Sequence, residues 1–212
     1  MRAFVALEIP QAVRDEIARR IGRWKASTPP ARWVRPEAWH VTLLFLGEVP
    51  EGQTEDLRSL LAPAFRRRRT FDLQVVGAGT FPPRRPARVA WLGLESRPAD
   101  ALGELRDAVV RALMADDSPA AARAAAEEGA ERPFHGHLTL ARCRKPWGRK
   151  AVKTFSEQAA EAVAEPFPVR RGVLFESRLG PEGARYREVA SFSLSDDPAE
   201  SRNDSTEGRT GQ

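Results

Sequence analysis

Short apolar runs with strand-like alternation and longer segments with helical spacing follow one another along the chain. In the first half, the runs at residues 2–9, 40–46 and 71–76 predict strands. Apolar residues three or four positions apart predict helices over residues 11–26 and 52–65 between these strands. The order strand, helix, strand, helix, strand is typical of an α+β unit in which helices back an antiparallel sheet.

The second half of the chain repeats this order. Its predicted strands lie at residues 89–94, 134–142, 169–176 and 186–194, and its predicted helices at 98–114 and 150–163. An Ala-rich and charge-rich segment, Asp116 to Arg132, has no counterpart in the first half and is predicted to be an extended loop or a ragged helix. The repetition predicts an internal duplication with one insertion.

The domain organisation follows from this repetition. We expect a single bilobal domain over residues 1–194, with interleaved lobes and pseudo-repeats at about 1–83 and 88–194. Residues 195–212 are rich in Ser, Asp, Gly and Thr and nearly free of apolar side chains, which predicts a disordered polar tail.

The composition narrows the class of protein. A hydrophobic content of 42% in 212 residues is enough for a core. No apolar run reaches the roughly 20 residues of a membrane-spanning helix, and the first ten residues do not resemble a secretory signal. We therefore expect a cytoplasmic protein that makes no membrane contact. The single cysteine, Cys143, excludes an internal disulfide and a cysteine-based zinc site.

The formal net charge of +5 is concentrated in the body of the chain, because the predicted tail is net acidic. A basic body suits a polyanionic partner such as RNA. The preference for arginine over lysine can equally reflect a genome-wide bias, so charge alone leaves both explanations open.

The strongest chemical signal is a repeated pattern, His-x-Thr-x. It occurs as His40-Val41-Thr42-Leu43 and again as His137-Leu138-Thr139-Leu140. Because side chains alternate along a strand, each histidine shares one face with its threonine, and the apolar residues point the other way into a core. A single copy is typical of a structural histidine, but two copies in similar contexts indicate a paired site.

Two imidazoles and two hydroxyls in one cleft suit the cleavage of a phosphodiester. One imidazole can accept a proton from water while the other donates one to the leaving oxygen. Thr42 and Thr139 can donate hydrogen bonds to phosphate oxygens, and Arg142 can neutralise their charge. Strict alternation places Arg142 on the face opposite His137, so it reaches the cleft only if the strand bulges or ends near Cys143. This chemistry requires no metal or other cofactor.

Three further residues are candidates for substrate contact. His135, two positions before His137, could touch the substrate, could complete a three-histidine metal site with His40 and His137, or could be a partly exposed residue without such a role. The ring of Phe134 could stack on a base. Tyr186, the one tyrosine of the sequence, could offer a hydroxyl.

The chain resembles the RNA 2',3'-cyclic phosphodiesterases, also called 2'-5' RNA ligases, of the two-histidine phosphoesterase superfamily. The resemblance runs from the start of the chain to about residue 194, and the segments that carry it are RAFVALEIP, RWVRPEAWHVTLLFLGEV, FDLQVVGAGTFPPRRPARVAWLGL, RPFHGHLTLAR and ESRLGPEGARYREVASFSL. It implies two pseudo-symmetric ferredoxin-like lobes whose antiparallel sheets face a central, basic cleft. It also implies metal-independent opening of a 2',3'-cyclic phosphate to a 2'-phosphate, and ATP-independent joining of RNA ends through a 2'-5' linkage.

Transferred onto this sequence, the resemblance implies that His40 and His137 are the acid–base pair. We assign His40 as the acid for O3' and His137 as the base for water. Thr42 and Thr139 would hold phosphate, and Arg142 corresponds to an arginine that the family commonly places after its second motif.

The sequence departs from the family pattern at three places. Gly136 replaces a frequent proline, and Leu44 replaces a frequent basic residue. The insertion from Asp116 to Arg132 is unusual, and we expect it to cover or flank the cleft.

The expected partners are RNA with 2',3'-cyclic phosphate ends or cyclic nucleotides, and we expect a monomer. Two other classes of function compete with this hypothesis. A non-catalytic RNA-binding module built from two ferredoxin-like halves predicts RNA binding that survives loss of the histidines. A metal-dependent phosphoesterase predicts that a chelator abolishes turnover.

Overall fold

The computed structural model of the chain describes residues 1–83, 86–115, 118–131, 133–160, 165–180 and 183–196. Its helices and strands are β1 (Arg2–Glu8), α1 (Gln11–Ser27), β2 (Ala31–Trp33), β3 (His40–Glu48), α2 (Thr54–Arg66), β4 (Phe71–Phe81), β5 (Ala87–Arg97), α3 (Ala101–Leu113), α4 (Ala120–Glu131), β6 (His137–Trp147), α5 (Arg149–Ala160), β7 (Phe167–Val169), β8 (Arg171–Gly180) and β9 (Gly183–Ser193).

These strands form one antiparallel sheet in the order β7-β4-β5-β6-β3-β1-β8-β9, and β2 pairs with β6 beside this path. The predicted α+β class is confirmed. The two antiparallel sheets expected from the family resemblance are the two halves of this one sheet. One half contains β3, β1, β8 and β9, and the other contains β7, β4, β5, β6 and β2.

The two halves meet at a single paired position between β3 and β6. There Val41 lies opposite Leu138, and both side chains are fully buried. The strands within each half are paired over five or more positions, apart from the short β2 and β7. The hydrogen bonding between the halves is therefore sparse, and packing in the common core must hold them together.

Helices cover the core face of both halves. Helices α1 and α5 pack against each other, and α5 also contacts β4, β5 and β6. Helices α2, α3 and α4 form the other layer, in which α2 contacts β9 and α4 contacts β3. The first and last strands of the chain thus share one half, so chain order and spatial order interleave. The predicted pseudo-repeat boundaries stay a prediction.

Within the inserted segment, residues Ala120–Glu131 form the helix α4, so the helical one of the two predicted alternatives is what the structure shows. Alanine has the highest helix propensity, and Ala122 and Ala126 are fully buried on the face that α4 turns inward. A side chain at Gly129 would begin 2.7 Å from Leu44 Cδ1, so this glycine permits close contact between α4 and β3. The helix lies on the buried face of β3, and its residues do not line the cleft that they were expected to cover or flank.

The structure also differs from the predicted elements in three smaller features. Strand β2 is too brief to show an alternating pattern, and Arg170 separates β7 from β8 within a run predicted as one strand. Of the predicted tail, Ser195 and Asp196 are described. Ser195 bridges to Arg69 and Asp196 pairs with Arg170. The remainder of the predicted tail lies outside the described residues.

No helix in the described ranges is both long enough and apolar enough to cross a membrane.

The buried junction between the halves should contribute measurably to the free energy of unfolding. We expect Leu138→Ala to lower the free energy of unfolding by about 3 kcal/mol, because it leaves a cavity at a position with no exposed surface. Val41→Ala should couple to it by at least about 0.5 kcal/mol in a double-mutant cycle, since the two side chains face each other. Urea denaturation measures both quantities.

Phe45→Ala is the matched control on β3, because this ring is 58% exposed and its removal should cost less than about 1 kcal/mol. Equal losses at Leu138 and Phe45 would contradict the role of the junction.

Candidate active site

The two His-x-Thr-x motifs lie side by side at the junction of the halves. Because β3 and β6 are antiparallel with Val41 opposite Leu138, His40 falls across from Thr139, and Thr42 falls across from His137. These four residues all line one cavity of about 580 Å³. The predicted convergence of the motifs on one cleft is therefore what the structure shows, while their catalytic role stays a proposal.

Both imidazoles are held in the same way. His40 Nδ1 lies 2.9 Å from the carbonyl oxygen of Ala38, and His137 Nδ1 lies 2.8 Å from that of His135. A carbonyl oxygen only accepts, so Nδ1 carries the proton in each ring and donates it. The nitrogen left for the cavity is Nε2, which accepts a proton in the neutral ring and donates one in the imidazolium.

Burial shifts the titration of both rings in the same direction. Removal from solvent is the main cause that lowers the pKa of His40 from 6.5 to about 4, and the positive charges of His137 and Arg142 add to it. The hydrogen bond to the Ala38 carbonyl opposes this shift. Burial likewise lowers the pKa of His137, assisted by His135 and Arg142. The charge of a protonated His137 thus disfavours a proton on His40, which suits a pair that shares one proton.

Aromatic side chains form the walls around the two rings. The ring centroid of His40 lies 4.7 Å from that of Phe4 and 5.0 Å from that of Tyr186. On the other side, His137 lies 5.1 Å from Phe81. These contacts restrict the imidazoles and keep water away from them, which accounts for the lowered pKa values.

Arg142 reaches the cavity because β6 bulges. Thr139 pairs with Trp91, but Ala141 pairs with Ala90, so β6 has one residue more than β5 at this point. The extra residue restores Arg142 to the face of Thr139, and Arg142 lines the cavity. This is the bulge that the sequence required if Arg142 was to reach the cleft.

An equivalent bulge in β3 brings Phe45 into the cavity. Thr42 pairs with Ala6 and Leu44 pairs with Val5, which leaves Leu43 as the extra residue. Phe45 consequently occupies, five residues after His40, the place that Arg142 occupies five residues after His137. Phe45 was not predicted from the sequence. The sequence did contain a signal for the bulges, because two consecutive apolar residues follow each threonine where strict alternation would place only one.

Of the three additional candidates, only Tyr186 lines the cavity. The ring of His135 packs edge-on against Trp91, with centroids 4.6 Å apart, and lies 6.5 Å from the ring of His137. The guanidinium of Arg106 lies over the ring of Phe134, and its Cζ is 5.6 Å from the centroid of that ring. Contact of His135 or Phe134 with substrate stays a prediction, and neither is among the lining residues.

The three histidines do not form the metal site considered as an alternative. Among the residues that the structure describes, no three His, Cys, Asp or Glu side chains are grouped so as to hold a metal ion.

Gly136, which replaces the family's frequent proline, has a packing role. A side chain at this position would begin 2.5 Å from Leu102 Cδ2.

The cavity is strongly basic, to an extent that the motifs alone did not indicate. Its lining includes no aspartate or glutamate among the described residues. The arginines that line it are Arg2, Arg32, Arg35, Arg142 and Arg185. Such a cavity attracts an anion and disfavours a cation.

The protonation state of the site can be measured directly. In ¹H–¹⁵N spectra at pH 7 and without ligand, we expect both His40 and His137 to be neutral with the proton on Nδ1, because each Nδ1 donates to a carbonyl. His40 should take up its second proton only as the pH falls toward about 4. Inorganic phosphate should raise both pKa values, since an anion stabilises imidazolium. A His40 that titrates at or above pH 6.5, or carries its proton on Nε2, would contradict this geometry.

Comparison with known proteins places the chain in a family. The family model described as LigT-like phosphoesterase matches residues 7–91. The chain is 30% identical over 197 residues to an RNA 2',3'-cyclic phosphodiesterase of Thermus thermophilus, covering 92% of this chain and 90% of that protein. An RNA 2',3'-cyclic phosphodiesterase of Geobacillus stearothermophilus is 29% identical over 209 residues, and the chain spans only 60% of its length.

Solved structures agree with these matches. A protein of Thermus thermophilus superposes with a TM-score of 0.69 at 28% identity, covering 92% of this chain and 98% of that one. Apo LigT of E. coli superposes with a TM-score of 0.60 at 27% identity, covering 91% and 96%. The expected resemblance is confirmed: the chain belongs to the LigT-like phosphoesterase family.

Proposed function

We propose that this chain is a hydrolase that opens the 2',3'-cyclic phosphate at an RNA end and leaves a 2'-phosphate. The observation that carries the proposal is the pair of Nδ1-anchored imidazoles, His40 and His137, in one basic cavity. The names of the Thermus and Geobacillus relatives support the choice of substrate. Structures of E. coli LigT with phosphate and with 3'-AMP support a cavity that takes phosphate and nucleotide.

The proposed reaction is a single displacement at phosphorus. A water molecule gives a proton to Nε2 of His137 as its oxygen bonds to phosphorus. The bond from phosphorus to O3' breaks, and O3' takes a proton from Nε2 of His40. The 2'-phosphate remains on the ribose. His137 then releases its proton to solvent and His40 takes one up from solvent, which restores both rings. The two rings supply both proton transfers, so the step needs no metal ion.

The lowered pKa of His40 agrees with its role as the acid. A group with a lower pKa is the stronger proton donor and the weaker base, which helps to expel an alkoxide. The same shift leaves His40 neutral near pH 7 in the free protein. His40 must therefore take up a proton from solvent as the anionic phosphate binds, because the charge of the phosphate favours imidazolium in the bound state.

The remaining lining residues would hold and orient the substrate. Thr42 and Thr139 lie across from His137 and His40, where their hydroxyls can donate to the two non-bridging phosphate oxygens. Arg142 would neutralise the charge that develops on those oxygens. The exposed ring of Phe45 offers a surface on which the terminal base can stack.

The same chemistry can run with an RNA 5'-hydroxyl in place of water. Attack of that hydroxyl on the cyclic phosphate expels O3' and leaves a 2'-5' phosphodiester, without ATP. We propose this ligation as a secondary activity of the same site. The monomeric state and the cytoplasmic location stay predictions.

The first test removes each imidazole. We expect His40→Ala and His137→Ala each to lower kcat on 2',3'-cyclic nucleotides by about 10³-fold, the usual contribution of a positioned acid or base. The double variant should be only slightly worse than either single variant, because the two groups act in one step. Chelator-treated wild-type protein should remain fully active, and phosphorus NMR should identify the 2'-phosphate.

Arg149→Ala serves as the control, since this residue begins α5 and does not line the cavity. Retained RNA binding with no turnover by the wild type would favour the non-catalytic module. Loss of turnover with chelator would favour a metal-dependent enzyme, and a 3'-phosphate product would reverse the choice of leaving oxygen.

A second test separates the acid from the base. In a cyclic substrate with sulfur in place of O3', the leaving thiolate needs no proton. We expect this substitution to restore the turnover of His40→Ala to within about tenfold of the wild type, and to leave His137→Ala inactive. The steady-state rate at which the free 3'-thiol appears on the product measures both. Restoration of the His137 variant instead would exchange the two roles.

A further inference from the structure

Strand β2 places one arginine beside the proposed phosphate site. This strand has three residues, Ala31–Trp33, and pairs with β6 so that Arg32 lies opposite Arg142. Both arginines line the cavity. Neighbouring strands are about 5 Å apart. Arg32 therefore lies beside Arg142, on the edge of β6 that also pairs with β3, and it extends the basic surface past the pair of histidines.

Contact with the other half of the sheet fixes the position of Arg32. Gly183 begins β9 and has a φ of +131°, a conformation that favours glycine. A Cβ at this residue would lie 2.7 Å from Arg32 Nη2 and 3.6 Å from Cζ, so the guanidinium rests against the glycine backbone. The β2 strand and the start of β9 therefore approach each other across the cavity, with Arg32 between them.

The charges around Arg32 favour an anion as its partner. No ion pair links Arg32 to a carboxylate among the described residues, whereas Arg68, Arg170, Arg171 and Arg187 each have such a partner. Its opposite neighbour, Arg142, is also a cation. Two guanidinium groups on adjacent strands repel each other unless anions lie between or beside them, and each can bind a phosphate through two parallel hydrogen bonds.

We propose that Arg32 forms a second phosphate subsite, which binds the phosphodiester on the 5' side of the terminal nucleotide. This inference rests on the proposed function, in which the cyclic phosphate occupies the site of His40, His137 and Arg142. Phe45 and Arg32 lie on opposite sides of that site, so the terminal base extends toward β3 and the RNA chain leaves along β2. The substrate class is accordingly an oligonucleotide end, in preference to a cyclic mononucleotide.

The test compares two substrates that differ by one phosphodiester. For a dinucleotide that ends in a 2',3'-cyclic phosphate, we expect Arg32→Ala to lower kcat/KM about tenfold. For the cyclic mononucleotide, which has no 5'-phosphate, we expect a change of less than twofold. The dependence of log(kcat/KM) on log salt concentration should also lose about 0.7 of its slope on the dinucleotide, which corresponds to one phosphate contact.

Two further variants serve as controls. Arg32→Lys keeps the charge without the planar fork and should fall between the wild type and Arg32→Ala. Arg149→Ala removes a charge outside the cavity and should leave both substrates unaffected. An equal loss on both substrates would place Arg32 at the reacting phosphate, and no loss on either would remove it from the site. Both results overturn the proposal.

A binding measurement tests the subsite independently of turnover. Adenosine 2',5'-bisphosphate should bind the wild type about tenfold more tightly than adenosine 2'-monophosphate, and Arg32→Ala should abolish that difference. Absence of turnover on every cyclic substrate, with this difference intact, would defeat the proposed function and keep the subsite. Equal binding of both nucleotides by the wild type would defeat the subsite.

Discussion

One paired position, Val41 opposite Leu138, joins the two halves of the sheet and sets the geometry of everything above it. Both side chains point into the core, so the residues on either side of each must point into the cavity. The antiparallel pairing relates the two motifs by a local twofold symmetry, and two similar tetrapeptides thereby present two histidines and two threonines to one place. A shift of β3 by one residue relative to β6 would turn His40 and Thr42 away from the cavity and toward the core.

The residues that surround the two motifs differ between the two halves of the sheet, and the proposed reaction requires this difference. Bulges at equivalent points of β3 and β6 return a fifth residue to the cavity face, and these residues are Phe45 and Arg142. An apolar ring on one side and a cation on the other suit a nucleotide, which has a base at one end and phosphates at the other. The surroundings of the imidazoles differ as well, since Tyr186 adjoins His40 and His135 adjoins His137.

Much of this architecture could be predicted because local patterns determine it. Strand and helix periodicity indicated most elements and the α+β class, and the repeated His-x-Thr-x pattern indicated a paired site. Positions that depend on non-local contacts could not be predicted. The alanine-rich insertion becomes a helix that packs on Leu44 and α3, and the short β2 is a strand only because β6 pairs with it. No sequence pattern indicated the packing roles of Gly136 and Gly183. These roles depend on Leu102 and Arg32, which approach the glycines from distant parts of the chain.

Both imidazoles are proposed to act on one phosphorus atom, and a crystal structure with a bound nucleoside 2'-monophosphate would show whether they contact the same phosphate. We expect phosphate oxygens within about 3 Å of Nε2 on both His40 and His137, with a threonine hydroxyl on each side. A phosphate that contacts only one of the two rings, or that binds elsewhere on the basic surface, would contradict this expectation.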